Sequence, residues 1–153
     1  MTLLMVWTDK PNDAETINIA SDSRLSDGPL VWDYATKIHR LYPTTTYLGY
    51  CGGSFVALSA ITSATSAIAC SDHLYKDAAL NGPALTARVE AIHLHIENTF
   101  PLIPTDWNRE ATLLLADYDH RKKAFSAFTI EMTDAGVGKP IELDLLTLLH
   151  HFQ

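Results

Sequence analysis

The side chains of this 153-residue chain that could do chemistry are few. A threonine hydroxyl stands at position 2, directly after Met1. Asp22 lies between serines in the run Ser21-Asp22-Ser23, Lys37 follows further along, and a glycine pair closes the group at Gly52-Gly53. A threonine hydroxyl is a weak nucleophile until a base takes its proton. A carboxylate can fix the position of an ammonium, and glycine lets backbone approach a reacting carbonyl closely. Taken singly, each residue also has an ordinary reading. A threonine after the initiator methionine is common. Asp22 can cap a turn, Lys37 can be a solvated charge, and Gly52-Gly53 can be a strand-to-helix turn that needs positive φ.

The remaining reactive types do not form a centre. There are seven histidines. His93 and His95, two apart on a helical stretch, face different ways; His150 and His151 are adjacent; Asp117, Asp119 and His120 share a turn. None has ligand spacing, so neither a metal nor another cofactor is expected. Cys51 and Cys70 do not make a disulfide framework and read as reduced, buried thiols. Cys51, set just before the glycine pair, reads as a packed thiol rather than a nucleophile. Trp7, Trp32 and Trp107 read as core or interface residues.

Bulk composition narrows the function classes. Hydrophobic residues make up 47% and charged residues 19%, ordinary values for a folded globular domain, and the length fits one domain spanning residues 1–153. The formal net charge is −7 and the pI about 5.3. An acidic chain repels phosphate backbones, which speaks against nucleic acid and anionic membranes as partners. The most basic run, Arg121-Lys122-Lys123, falls in a turn. The opening MTLLMVWTDKP is apolar, but it is short and lacks a basic flank, so it reads as neither a signal peptide nor a membrane span. A cytoplasmic location is expected.

The elements that must position these residues are legible in outline. Residues 2–7 are rich in β-formers, and 16–20 alternate Ile17 and Ile19 on one face; with turn chemistry between them they predict a hairpin. Residues 47–50 predict a strand ending at Gly52-Gly53. Ser54 is placed to cap a helix whose face carries Phe55, Leu58, Ile61, Thr65 and Ile68, with small residues between them for close packing. A second helix is predicted over about 83–100, with Leu85, Val89, Ile92 and Ile96 as its stripe and Pro101 and Pro104 ending it. Strands at 111–118 and 124–131 flank a turn at 119–122, and 144–152 predicts a short terminal helix. Segregated runs of strands, helices and strands point to α+β layers.

Three stretches carry a family resemblance. Ile19-Ala20-Ser21-Asp22-Ser23-Arg24 with Leu25-Ser26 looks like the "AADSR-x-T" segment of proteasome β-subunits. Tyr34-Ala35-Thr36-Lys37-Ile38 is similar to the segment around that family's catalytic lysine. Leu48-Gly49-Tyr50-Cys51-Gly52-Gly53 is similar to its "G-x-A-G-G" before the first long helix. They occur in family order with near-family spacing, and Thr2 lies just upstream. The resemblance runs from Thr2 to about Ile68 and extends to Glu131. It implies an N-terminal-nucleophile (Ntn) hydrolase fold, an αββα sandwich, here lacking much of the C-terminal helical layer.

The same resemblance implies roles. Thr2 would be the nucleophile, Asp22 and Lys37 the charged pair supporting it, and Gly52 the backbone N–H donor to the oxyanion. Ser26 would hold the substrate backbone and Tyr50 would lie near the pocket for the residue before the cut. An N-terminal threonine carries its own base, an α-amine with a pKa of roughly 7.7–8.0, which a neighbouring lysine cation lowers. Met1 must therefore be removed. The implied activity is threonine-type peptidase action on peptides or unfolded protein by a homo-oligomer, a ring or partial ring, with an ATPase as a possible partner. Two other readings stand beside it: a catalytically inactive scaffold subunit, and an Ntn amidase acting on a small molecule.

Overall fold

A computed structural model of the chain describes residues 4–10, 14–22, 24–27, 30–33, 35–41, 44–70 and 85–145. It is a mixed α+β structure of antiparallel sheets and two α-helices among those residues. The largest sheet runs β10-β8-β7-β6-β5, where β5 is Ile38–Arg40, β6 Tyr47–Gly52, β7 Ala111–Asp119, β8 Ala124–Thr133 and β10 Ile141–Leu143. A two-residue strand, β9 (Gly136–Val137), pairs with the end of β8. The hairpin of β1 (Leu4–Asp9) and β2 (Thr16–Ser21) and the small hairpin of β3 (Leu25–Asp27) and β4 (Leu30–Trp32) are separate two-stranded sheets.

Period-two alternation along the central strands builds a core on each face of the sheet. Leu48 and Tyr50, Leu113 and Leu115, and Phe128, Ile130 and Met132 point to one face. There they meet α1 (Ser54–Ala69) and α2 (Leu85–Thr99) through Val56, Ala60, Ile61, Val89, Ile92 and Ile96. The alternate residues Leu114, Ala116 and Ala127 point to the other face and meet Leu4 and Val6 of β1, with Ile17 and Ile19 of β2 beside them. Gly49 marks the contact: a Cβ there would come 2.8 Å from the Leu4 side chain. The layers are therefore helix pair, six-stranded sheet, hairpin.

Several expectations need adjustment. The first hairpin forms, but β1 begins at Leu4 and runs to Asp9; Thr2 lies outside the described residues. The N-cap of α1 is Gly53, without a side-chain bond, and Ser54 is the first helical residue. Phe55, expected on the packed face of α1, is 66% exposed; Ala57, Ala60 and Ala64 are buried instead. A helix laid on a sheet this closely contacts it with small side chains. The second helix, α2, keeps its expected stripe and gains Arg88 as a buried member; Phe100 belongs to a 3-10 turn with Pro101. Both cysteines are free, as expected, but Cys70 is exposed and Cys51 half-buried. Trp32 and Trp107 are exposed, so neither belongs to the core of the described chain. β3, β4, β5, β9 and β10 are strands for which the sequence pattern set no individual bounds. The expected terminal helix lies outside the described residues beyond Leu145.

Candidate functional site

Lys37 occupies the segment leading into β5, where its carbonyl accepts the Tyr50 N–H at 3.2 Å. Its chain is docked against β6, and its side chain runs inward with 1% of its surface exposed. Burying an ammonium is costly unless it is paired and hydrogen-bonded. Here it is both: Nζ donates to Asp22 Oδ1 at 3.0 Å and to the Arg24 carbonyl. Asp22 follows the last residue of β2, and 30% of its side chain is exposed. The reading of Lys37 as a solvated surface charge is thus wrong, and Asp22 is an ion-pair partner rather than only a turn cap. Arg24 contributes its backbone; its side chain pairs with Asp33 at the surface.

β6 brings three further residues towards this pair. Tyr50 is fully buried on the helix face and loosely stacked on His39. Burial pushes its phenol above the usual tyrosine value; the nearby Ser54 hydroxyl opposes that and the Asp22 charge adds to it. Cys51 faces the hairpin side. Burial raises its thiol pKa, an effect opposed by hydrogen bonding to Thr112 and by the Lys37 charge, and reinforced by Asp22. A raised pKa leaves a thiol protonated and inert, in keeping with its reading as a packed residue. That the charges of Asp22 and Lys37 act on the Cys51 thiol, and that of Asp22 on the Tyr50 phenol, marks the pair and the end of β6 as one electrostatic neighbourhood.

Gly52 ends β6 with φ +92°, a conformation that side chains rarely adopt, and a Cβ would come 2.6 Å from the Glu110 carbonyl oxygen. Gly53 is held by its own N–H donating to Glu110 O at 2.6 Å, and a Cβ there would sit 2.6 Å from Asn108 O. The two glycines are required because the loop before β7 packs directly on the strand-to-helix turn. Ser26 lies in β3, paired with Val31.

The structure therefore pairs Asp22 with Lys37 and joins Lys37 to Tyr50 through the backbone; Gly52 stands two residues further along β6. β1 lies alongside this same end of the hairpin: Leu4 pairs with Ser21, the residue before Asp22. Among the described residues no group of three or more His, Cys, Asp or Glu is placed to hold a metal ion, and no helix is long and apolar enough to cross a membrane.

A second buried ion pair escaped the sequence reading. Arg88 Nη1 donates to Asp117 Oδ2 at 2.9 Å and to Thr46 Oγ1 at 3.2 Å. Thr45 and Thr46 each donate to the same carboxylate at 2.6 Å, and the Tyr118 N–H donates to Oδ1 at 2.7 Å. Arg88 stands three residues after Leu85 and four before Ile92, on the apolar stripe of α2. A charge in that register was the available signal, because it demands a buried partner.

No protein-family model matches this chain, and no curated protein aligns with it significantly.

Proposed function

We propose that the chain is an Ntn hydrolase of the proteasome β type, cutting peptide amide bonds with Thr2 as nucleophile. The observation that carries the reading is the buried Lys37 ammonium, held by Asp22 and the Arg24 carbonyl at the end of β2 from which β1 sets out. Burying a lysine at this level with a carboxylate partner has a cost, and the resemblance gives that cost a purpose. Helices on one sheet face and a hairpin on the other also agree with three layers of the αββα sandwich.

In this reading the chemistry is as follows. Once Met1 is removed, the neutral α-amine of Thr2 accepts the hydroxyl proton as Oγ attacks the substrate carbonyl. The Lys37 cation keeps the amine deprotonated by like-charge repulsion. The Gly52 N–H stabilises the oxyanion, and the protonated amine then returns its proton to the leaving amine. Ser26 steadies the substrate backbone, and Tyr50 lies near the pocket for the residue before the cut. An acyl-enzyme on Thr2 is then released by water. Homo-oligomeric assembly, with an ATPase supplying unfolded substrate, belongs to the same proposal.

The test is cleavage of a panel of fluorogenic peptide amides and small amides by protein whose N-terminus is Thr2. Cleavage that falls at least ~10³-fold in Thr2→Ala supports the reading. Cleavage undiminished by that substitution, or none across the panel, refutes it. Turnover of the small amides alone moves the assignment to an amidase.

A further inference from the structure

The hairpin of β7 and β8 runs past its neighbours. Among the described residues, β6 pairs with β7 only as far as Ala116, opposite Tyr47, and β10 pairs with β8 only as far as Ala127, opposite Leu143. The last two pairs of the hairpin, Tyr118–Phe125 and Asp119–Ala124, lie beyond both strands. Tyr118 and Phe125 fall on the same face as Leu114 and Ala116, yet neither ring joins either core cluster. Both are half-buried, and they meet edge to face, with centroids 5.2 Å apart at 74°. His120 stands against Tyr118 in the same way, at 5.0 Å and 78°.

The turn that closes this hairpin carries the most basic run of an acidic chain. Arg121, Lys122 and Lys123 are all exposed. Lys122 is committed to Glu142 at 2.6 Å. Arg121 and Lys123 form no ion pair among the described residues. The turn itself is fixed: the buried Asp119 carboxylate accepts the Arg121 N–H at 2.9 Å and the Lys122 N–H at 3.3 Å. Lys123 has φ +53° and is the one non-glycine residue at positive φ among the described residues. That backbone favours glycine or asparagine, and glycine is the ordinary residue at such a place in a hairpin. A lysine held there at a conformational cost points to a use for its charge.

We propose that the tip of the β7–β8 hairpin is a docking surface for a short acidic peptide segment of a partner protein. A large apolar residue of that segment lies against Tyr118 and Phe125, and carboxylates on either side of it pair with Arg121 and Lys123. Charge complementarity selects an acidic occupant. Size selects a peptide: two half-buried rings and two cations fall short of the roughly 800 Å² per partner of a stable protein–protein interface. With a net charge of −7, the rest of the chain repels an extended polyphosphate, whereas an acidic segment of a few residues meets only the tip. The surface serves this purpose whether or not Thr2 is a nucleophile.

The test titrates the isotope-labelled full chain with acetyl-Glu-Asp-Phe-Asp-Glu-amide, with its glycine counterpart acetyl-Glu-Asp-Gly-Asp-Glu-amide and with acetyl-Lys-Lys-Phe-Lys-Lys-amide, following the NMR amide resonances of residues 118–125. The acidic phenylalanine peptide should shift them. The glycine peptide should bind roughly tenfold more weakly, for want of the aromatic contact, and the basic peptide should leave them unmoved. Arg121→Ser and Lys123→Gly should each weaken the first peptide about two- to fivefold, the scale of one exposed ion pair, and added salt should weaken it too. Lys123→Gly should at the same time raise Tm, because glycine adopts positive φ without strain. Unmoved resonances, equal binding of acidic and basic peptides, or binding indifferent to both substitutions overturns the proposal. A lower Tm in Lys123→Gly makes that lysine a structural residue and overturns the use assigned to its charge. Stronger shifts with oligothymidylate than with the acidic peptide overturn it in favour of nucleic acid, and shifts that follow protein concentration alone overturn it in favour of a second copy of the chain.

Discussion

Among the described residues two ion pairs bury their cation, and they are built to different standards. Arg88–Asp117 is sealed from solvent, with Arg88 Nε left without a partner among the described residues. Its side chains are 4% and 0% exposed, and the carboxylate also accepts from Thr45, Thr46 and the Tyr118 N–H, so Oδ1 and Oδ2 each take two donors. It ties α2 to the ends of β6 and β7. Lys37–Asp22 is lopsided. The lysine is 1% exposed, but its carboxylate partner is 30% exposed and stands where β2 ends. In the proposed reading that difference has a use: the buried Lys37 cation, beside its partly open carboxylate, acts on the Thr2 amine.

That contrast can be broken most forcibly from the closed side. Asp117→Ala strands the Arg88 guanidinium in the core and should cost about 3–5 kcal/mol, the range for removing one partner of a buried pair. Urea unfolding checks it, and the protein that remains folded should keep its peptide hydrolysis. Asp22→Asn should shift the loss towards activity. Stability should fall by about 1–3 kcal/mol, because the buried Lys37 ammonium keeps a hydrogen-bond acceptor but loses its charged partner. Hydrolysis should fall by ~10²-fold or more as Lys37 loses its anchor, a loss comparable to that of one oxyanion donor. If both variants lose stability equally and activity not at all, the two pairs are alike and the functional reading of the first is lost.

Smaller effects sharpen the same comparison. Gly52→Ala forces a side chain into positive φ against Glu110 O and should destabilise by about 1–3 kcal/mol. Its activity should fall further than its unfolding free energy accounts for, because the turn itself moves. The cysteines should separate by reactivity. Exposed Cys70 should alkylate promptly with iodoacetamide at pH 8, and Cys51, half-buried with a raised pKa, slowly; peptide mapping over time reads the difference. Tyr50 should ionise above the ordinary tyrosine value. The folded state holds the phenolic proton more tightly than the unfolded chain, so this contribution to stability is intact below the unfolded value of 10.0 and is lost as pH rises through the folded one. Tyr50→Phe should therefore flatten the decline of Tm measured above that pH.

How much could be read from residues alone follows the reach of each signal. The long strands β7 and β8, the first hairpin and the stripe of α2 were legible because their periodicity runs through many residues. The short strands β3, β4, β5, β9 and β10 have no room to display a period and depend on their partners for definition. The face of α1 was misassigned at Phe55 because large apolar residues were given more weight than the alanines that let the helix lie close to the sheet. At the site, Asp22, Lys37 and Gly52 were named from a motif, yet the burial of Lys37 went against its ordinary propensity. Its anchor at the Arg24 carbonyl is a backbone atom that no side-chain pattern announces. The Arg88–Asp117 pair was missed because its members are far apart in sequence and only the register of Arg88 on an apolar stripe hinted at it.

The central claim is that Thr2 attacks the substrate carbonyl with Lys37 behind it. The most direct measurement treats protein lacking Met1 with a peptide β-lactone, then determines the intact mass and maps the adduct. The account predicts one acyl adduct per chain, on Thr2, lost in Thr2→Ala and formed much more slowly in Lys37→Met. An unmodified chain, or an adduct elsewhere that is indifferent to both substitutions, contradicts it.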